Sequence, residues 1–160
     1  MMSRTNLTGI TASAACNQKE VTRELLGARG VPVARGRTFR NGDWDAGVAF
    51  AREIGFPVVF KPAAGFRGIG VHAGLTDEAR LREAMSQLEN TRLSHQDFIV
   101  EKHIPGEEYR ILVVGERAVA AIRRVPASVT GDGVNSVAEL ILKKNELRRL
   151  NPSLRYRPIK

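Results

Sequence analysis

The chain has 160 residues, of which 42% are hydrophobic and 26% charged, and its formal net charge at neutral pH is +8. This length suits one domain or two small lobes, and no apolar stretch reaches the roughly 20 residues that a membrane helix requires. The positive charge is compatible with nucleic acid, acidic lipid or phosphorylated ligands, and is most simply explained by a solvated basic surface.

Residues 1–16 are polar, rich in Thr and Ser, and lack the apolar core of a secretory signal. We therefore expect a loose leader. Cys16 is the only cysteine of the chain, so no internal disulfide can form, which fits a cytoplasmic location.

The first predicted helix covers residues 17–30. Apolar side chains recur there at helical spacing, and Asn17 and Glu20 are arranged as in a capping box. An extended segment of residues 31–40 follows, because Pro32 disfavours helix at the residue before it.

A second predicted helix, residues 43–54, leads into a strand and a glycine-rich loop. Residues 57–61 form a short apolar strand that ends with Lys61, and the loop covers residues 62–69. The sequence GVHAGL then predicts a return strand, so strand, loop and strand form a hairpin.

The rest of the chain predicts a helix, a three-strand meander and a final helix. Thr76 is placed to cap the first of these helices. The strands cover residues 97–104, 109–115 and 117–125, and the helices cover residues 77–90 and 136–150.

This order of elements predicts an α+β fold with largely antiparallel sheets rather than repeated β-α-β units. Residues 91–97 are polar and turn-like, so we expect the break between two lobes there. The predicted organisation is a leader of residues 1–16, a first lobe of residues 17–95 and a second lobe of residues 96–160.

The sequence GFRGIG in the loop fits neither of two familiar phosphate loops. A Walker A loop requires Gly-Lys-Ser/Thr at the start of a helix, and a dinucleotide loop lies between a strand and a helix, whereas a strand follows here. A hairpin flap remains, whose backbone N–H groups can bind phosphate oxygens while Lys61 adds positive charge. A flexible hairpin with a surface lysine explains the pattern as well.

Two glutamates, Glu101 and Glu108, flank a Pro-Gly turn. Carboxylates at the edge of a cleft accept hydrogen bonds from an amino group or vicinal hydroxyls. The backbone of Lys102 and Ile104, between them, could contact a flat heterocycle. Two surface glutamates beside a turn are an equally good interpretation.

Three blocks taken together resemble the ATP-grasp superfamily of carboxylate–amine ligases, in particular its cyanophycin synthetase and glutathione-synthesis branch. The resemblance covers about residues 17–150 and implies two lobes that grip ATP between antiparallel sheets under a glycine-rich flap. The blocks are NQKEVTRELLGARGVPVARG, FPVVFKPAAGFRGIGV and FIVEKHIPGEEYRILVVGERAVAAIRRVPASVTGDG.

The resemblance also implies roles for individual residues. Lys19 and Lys61 would hold the phosphates of ATP, Glu101 would contact adenine, and Glu108 would bind the ribose hydroxyls. As catalytic residues, Arg123 and Arg124 would face phosphate or a carboxylate substrate, although a solvated helix lysine and a surface arginine pair stay open as alternatives. The implied ATP-binding residues are Lys19, Lys61, Gly65, Phe66, Arg67, Gly68, Ile69, Gly70, Glu101, Lys102, His103, Ile104 and Glu108.

The reaction implied is ATP-dependent joining of a small-molecule carboxylate and an amine through an acyl phosphate, with Mg²⁺ in the complete enzyme. The family's metal ligands, an aspartate followed by Glu-x-Asn, have no counterpart in this sequence, and the histidines lack partners at metal-ligand spacing. We therefore assign no metal ligand and expect an incomplete second lobe. We further expect no turnover by the chain alone, and either self-association or a missing complementary half.

Two other functions stay open on the sequence. One is a nucleotide-binding module without catalysis. The other is a basic nucleic-acid-binding protein, which is disfavoured because aromatic residues do not interleave with the basic ones and because Glu101 and Glu108 would repel backbone phosphates. We expect no membrane partner.

Overall fold

The structure is a computed structural model that describes residues 9–64, 68–152 and 158–159. Its contacts divide the chain into two compact units, Met1–Gly106 and Glu107–Lys160. Both units contain antiparallel sheets and helices, so the predicted α+β class is confirmed. In the described residues no helix is both long and apolar enough to cross a membrane.

The first unit contains one four-stranded antiparallel sheet in the strand order β1-β4-β2-β3. Strand β4 lies in its interior and pairs with both β1 and β2. The strands are β1 (Gly36–Phe39), β2 (Val58–Pro62), β3 (His72–Leu75) and β4 (Phe98–Lys102), and the helices are α1 (Ile10–Asn17), α2 (Lys19–Ala28), α3 (Trp44–Ile54) and α4 (Glu78–Glu89).

Helices α3 and α4 pack on one face of this sheet and enclose the hydrophobic core. Phe98 is fully buried at its centre, and its ring stacks on that of Trp44 with 4.7 Å between centroids. Burial alternates along β2, where Val58 and Phe60 face the core and Lys61 faces the other side. We call this other side, which carries Lys61 and Glu101, the open face of the sheet.

The second unit contains a two-stranded hairpin of β5 (Glu108–Val114) and β6 (Arg117–Arg124), followed by helix α5 (Val137–Arg149). Every residue of the hairpin is exposed. Ser136 and Glu139 form a reciprocal capping box that begins α5. The hairpin around Gly115 and the last helix confirm the sequence predictions for these segments.

Several sequence predictions on the first unit were wrong in detail. The predicted meander does not form, because the strand of residues 97–104 becomes β4 and pairs with β1 and β2. The predicted helix of residues 17–30 is replaced by α1 and α2, and Asn17 ends α1 instead of capping the next helix. Asp77, rather than Thr76, caps α4 through a hydrogen bond from the Arg80 amide.

Two features concern the predicted organisation of the chain. Residues 10–16 of the expected leader belong to α1, which has no buried residue. The contacts of the chain divide after Gly106 rather than near residues 91–97, since the pairing of β4 joins it to the first unit. The lobe boundary near residues 91–97, expected from their polar and turn-like sequence, stays a prediction.

Candidate nucleotide-binding site

An ion pair between Lys61 and Glu101 lies on the open face of the four-stranded sheet. In the register of β2 and β4, Lys61 is opposite Ile99 and Val59 is opposite Glu101, so the two charged residues are diagonal neighbours. Their side chains are only 19% and 18% exposed. The sheet therefore brings together two of the residues that the sequence singled out.

A second ammonium group, that of Lys19, lies at the end of β2. Its Nζ donates hydrogen bonds to the carbonyl oxygens of Pro62 (3.2 Å) and Ala63 (2.9 Å). Burial lowers the pKa of Lys19, repulsion by Lys61 lowers it further, and attraction by Glu101 opposes both effects. The first residue of α2 is thus held where the glycine-rich loop begins.

Residues 68–70, at the end of the glycine-rich loop, form a turn before β3. Gly70 has a φ of +69°, and a Cβ there would lie 2.9 Å from Cγ of Pro62, so no other residue fits without strain. Ile69 is 59% exposed. The predicted flap residues Gly65, Phe66 and Arg67 lie outside the described residues.

The segment after Glu101 is bound to the loop before β2. Nζ of Lys102 donates to the carbonyl oxygens of Gly55 (2.9 Å) and Phe56 (3.0 Å). The backbone N–H of Lys102 donates to Arg35 O (2.8 Å), and that of His103 donates to Pro57 O (3.1 Å). Because the backbone N–H groups of Lys102 and His103 are engaged in these bonds, a heterocycle would have to contact other backbone groups of the segment. These include the backbone groups of Ile104, a residue that is 65% exposed.

Sequence reasoning missed Arg23 and Gly36, which border Glu101. Arg23 lies one helical turn after Lys19, its side chain is only 14% exposed, and its Nη2 is 2.8 Å from Oε1 of Glu20. Gly36 pairs with Glu101 across β1 and β4. The spacing of four between Lys19 and Arg23 is a signal that the sequence did contain, because it places both on one helix face.

The remaining predicted residues lie in the second unit, at the open end of the β5–β6 hairpin. Glu108 and Arg124 are directly opposite each other and form an ion pair. Arg123 is 2.7 Å from Oε1 of Glu107, a residue that the sequence analysis did not single out. The Glu107 carboxylate also accepts a hydrogen bond from Tyr109, which raises the pKa of that phenol.

The described residues contain no group of three or more His, Cys, Asp or Glu side chains that could hold a metal ion. The carboxylates near the open face are held instead by cations, Glu101 by Lys61 and Glu20 by Arg23. The donor set of this face, two ammonium groups beside a glycine turn, fits phosphate oxygens rather than a divalent cation.

Comparison with known proteins gives a consistent result. Residues 17–133 match the model of the RimK-like ATP-grasp domain family. The chain is 38% identical to cyanophycin synthetase of a Nostoc species over 142 residues. This aligned stretch covers 89% of this chain and 15% of that protein. It is 34% identical over 131 residues to the glutathione biosynthesis bifunctional protein GshAB of Mannheimia succiniciproducens, covering 80% of this chain and 17% of that protein.

Solved structures share the fold. The D-alanine–D-alanine ligase of Bacillus anthracis has a TM-score of 0.61 at 20% identity, covering 92% of this chain and 50% of that one. A RimK domain protein of Sphaerobacter thermophilus has a TM-score of 0.56 at 24% identity, covering 81% and 48%. The chain therefore spans about half of these structures and a much smaller part of the curated relatives.

Proposed function

Because this chain belongs to the RimK-like ATP-grasp family, we propose that it is an ATP-binding part of a ligase that joins a small-molecule carboxylate to an amine. The observation that carries the proposal is the group of Lys19, Lys61 and Glu101 at the base of a glycine turn. Two part-buried ammonium groups beside an exposed glycine turn suit a polyphosphate better than an uncharged ligand.

In this proposal the ammonium groups of Lys19 and Lys61 bind phosphate oxygens of ATP. The hydrogen bonds from Lys19 to the carbonyls of Pro62 and Ala63 hold its ammonium group beside the glycine turn. Residues 65–70 would form the flap over the phosphates, as the family resemblance implies. Its glycines allow the backbone to approach the ligand closely.

The nucleoside would bind next to β4. Glu101 accepts a hydrogen bond from the adenine amino group, and backbone groups of residues 102–104 contact the ring. Glu108 binds the ribose hydroxyls, while Arg123 and Arg124 face phosphate or the substrate carboxylate. These assignments follow the family resemblance, and the ion pairs of Glu108 and Arg124 and of Arg123 and Glu107 would have to rearrange to make them.

The chemistry proposed is a pair of displacements. An oxygen of the substrate carboxylate forms a bond to the γ-phosphorus while the bond from that phosphorus to the bridging oxygen breaks, which gives an acyl phosphate and ADP. The amine nitrogen then bonds to the acyl carbon, phosphate leaves, and the nitrogen loses a proton. Because the described residues do not fit a Mg²⁺ site, we assign no step to a metal held by them.

Calorimetric titration tests the nucleotide site. We expect micromolar binding of ATP, about −8 kcal/mol, and a loss on the order of 2 kcal/mol in Lys61→Ala. Lys144→Ala is the matched control, because it removes the same charge from an exposed position of α5. Equal weakening by both variants, or no ATP binding by a folded wild type, would contradict the proposal.

Phosphate release separates a ligase from a nucleotide-binding module. A ligase releases phosphate from ATP only when both a carboxylate and an amine are present, and candidate amino acids are the first pair to try. Release that requires both substrates would favour the ligase, whereas binding without release fits both the module and a ligase part that has no turnover alone. A strongly salt-dependent affinity for generic nucleic acid that ATP does not affect would favour the third function and count against both.

A further inference from the structure

Glu101 is bordered by cations on two sides. Lys61 forms an ion pair with it from β2. On the side of β1, Gly36 is directly opposite Glu101 and carries no side chain. A Cβ on Gly36 would lie 2.6 Å from Cβ of Glu101 and 3.1 Å from Nη1 of Arg23, so both atoms border the space that glycine leaves empty.

The guanidinium group of Arg23 is well suited to hold a carboxylate there. Its Nη2 is engaged with Glu20, whereas Nη1 faces Gly36. A guanidinium has five N–H donors in a rigid plane, so it can bind one carboxylate without releasing another. With only 14% of the side chain exposed, its attraction to nearby carboxylates is weakly screened.

A polyphosphate on Lys61 changes the balance of charge at Glu101. Lys61 carries a single positive charge, and phosphate oxygens compete for it with the carboxylate that it already binds. Bringing several negative charges close to a largely shielded carboxylate is unfavourable unless a second cation compensates it. Glu101 also attracts Lys19, and Arg23 is a further cation on the β1 side of Glu101, away from Lys61.

We propose that Arg23 is a positioning residue that neutralises and orients Glu101 when a polyphosphate binds Lys61. Gly36 is required at its position because it gives Arg23 access to Glu101. The inference rests on the proposed function. Arg23 acts on the ligand through Glu101 and does not itself touch the phosphates. Its contribution therefore depends on the phosphates of the ligand and on the charge of residue 101.

A double-mutant cycle on ligand affinity tests this dependence. The variants are Arg23→Gln, Glu101→Gln and the double variant, each titrated with ATP and with adenosine. We expect Arg23→Gln to weaken ATP about tenfold and adenosine less than about twofold, and we expect the effect on ATP to fall below about twofold in the Glu101→Gln background. Arg23→Lys should restore most of the affinity, because it keeps the charge.

Controls separate this role from a general loss of structure. Arg29→Gln, at the end of the same helix, should leave the ATP affinity unchanged. Arg23→Met keeps the aliphatic stem and takes the place of the glutamine variant if that variant unfolds. Inorganic tripolyphosphate takes the place of ATP if Glu101→Gln no longer binds the nucleotide.

Two results would overturn the inference while leaving the proposed function intact. An equal loss of ATP affinity with and without the Glu101 charge would mean that Arg23 contacts the ligand directly. An equal loss for adenosine and ATP would mean that Arg23 only supports the structure. A folded wild type that binds neither ATP nor tripolyphosphate would overturn both proposals.

Discussion

The ammonium group of Lys61 is paired with the carboxylate of Glu101 across strands β2 and β4, and each side chain is less than one-fifth exposed. A pair of this kind loses more when one partner is removed than when both are, because the remaining charge stays desolvated. Removal of one partner should therefore destabilise the fold in the absence of ligand, and this effect can be measured separately from binding.

The first prediction concerns that pair. Lys61→Met should lower the free energy of unfolding by about 1–3 kcal/mol, because it leaves the Glu101 carboxylate without its cation. Adding Glu101→Gln should recover part of the loss. Denaturant unfolding followed by the fluorescence of Trp44, the one tryptophan of the chain, reports on the first unit. Losses that simply add in the double variant would mean that the two side chains do not stabilise each other.

The second prediction compares two glycines inside helices. In α3, a Cβ on Gly47 would lie 2.7 Å from Cε2 of Phe98, so Gly47→Ala should destabilise the first unit by about 1–3 kcal/mol through overpacking. In α2, a Cβ on Gly27 would meet only Val33, at an ordinary 3.6 Å. Gly27→Ala should therefore stabilise by about 0.5–1 kcal/mol.

Thermal and denaturant unfolding of the two alanine variants checks this contrast. Helix propensity alone would make both substitutions stabilising. Changes in the free energy of unfolding of opposite sign would therefore report on the packing of α3 against the sheet. If Gly47→Ala were as stable as the wild type, the close contact between α3 and Phe98 would be wrong.

The third prediction follows from the lowered pKa of Lys19. In the free protein at pH about 9 a larger fraction of Lys19 is neutral than of an ordinary lysine, and bound phosphates favour its charged form. Binding of ATP at this pH should therefore take up protons, and the uptake through Lys19 should shrink as the pH is lowered towards about 7. The measurement is the binding enthalpy in buffers of different ionisation enthalpy.

Lys19→Arg is the matched variant for this experiment, since a guanidinium stays protonated in the whole range. It should keep the positive charge and lose the proton uptake at pH about 9. Uptake of the same size in this variant would assign the proton to another group.

The fold was predictable from sequence where its contacts are local. The strand that ends with Lys61, the glycine loop and the return strand were predicted, because apolar alternation and glycines mark a hairpin within about 20 residues. The pairing of β1 with β4 joins residues far apart in the chain, and nothing in either segment specifies its partner. The strand of residues 97–104 was therefore predicted to pair with the strand that follows it in sequence, and this prediction was wrong.

The candidate site was predictable in part for the same reason. Lys61 was singled out at the end of a strand and Glu101 beside a Pro-Gly turn, but their ion pair depends on the register of β2 and β4. Arg23 and Gly36 were missed because their relation to Glu101 depends on how α2 lies over β1, which residue types do not reveal. The break between α1 and α2 at Gln18 was missed since no Gly or Pro marks it.

The last prediction concerns an ion-pair network on the surface of the first unit. Hydrogen bonds from Arg82, and then from Arg52, lower the pKa of Glu78 below its ordinary value of 4.5. A carboxylate with a lowered pKa stabilises the folded state above its unfolded pKa, and this contribution is lost as the pH falls through the folded pKa. Glu78→Gln should therefore be less stable than the wild type at neutral pH, and the difference should shrink below pH 4.5 and at high salt.

Glu83→Gln, on the same helix, is the control, because the Glu83 carboxylate accepts a hydrogen bond from Gln87 rather than from an arginine. A stability difference between Glu78→Gln and the wild type that stayed constant from neutral to acidic pH would show that the arginines do not stabilise the fold through the charge of Glu78.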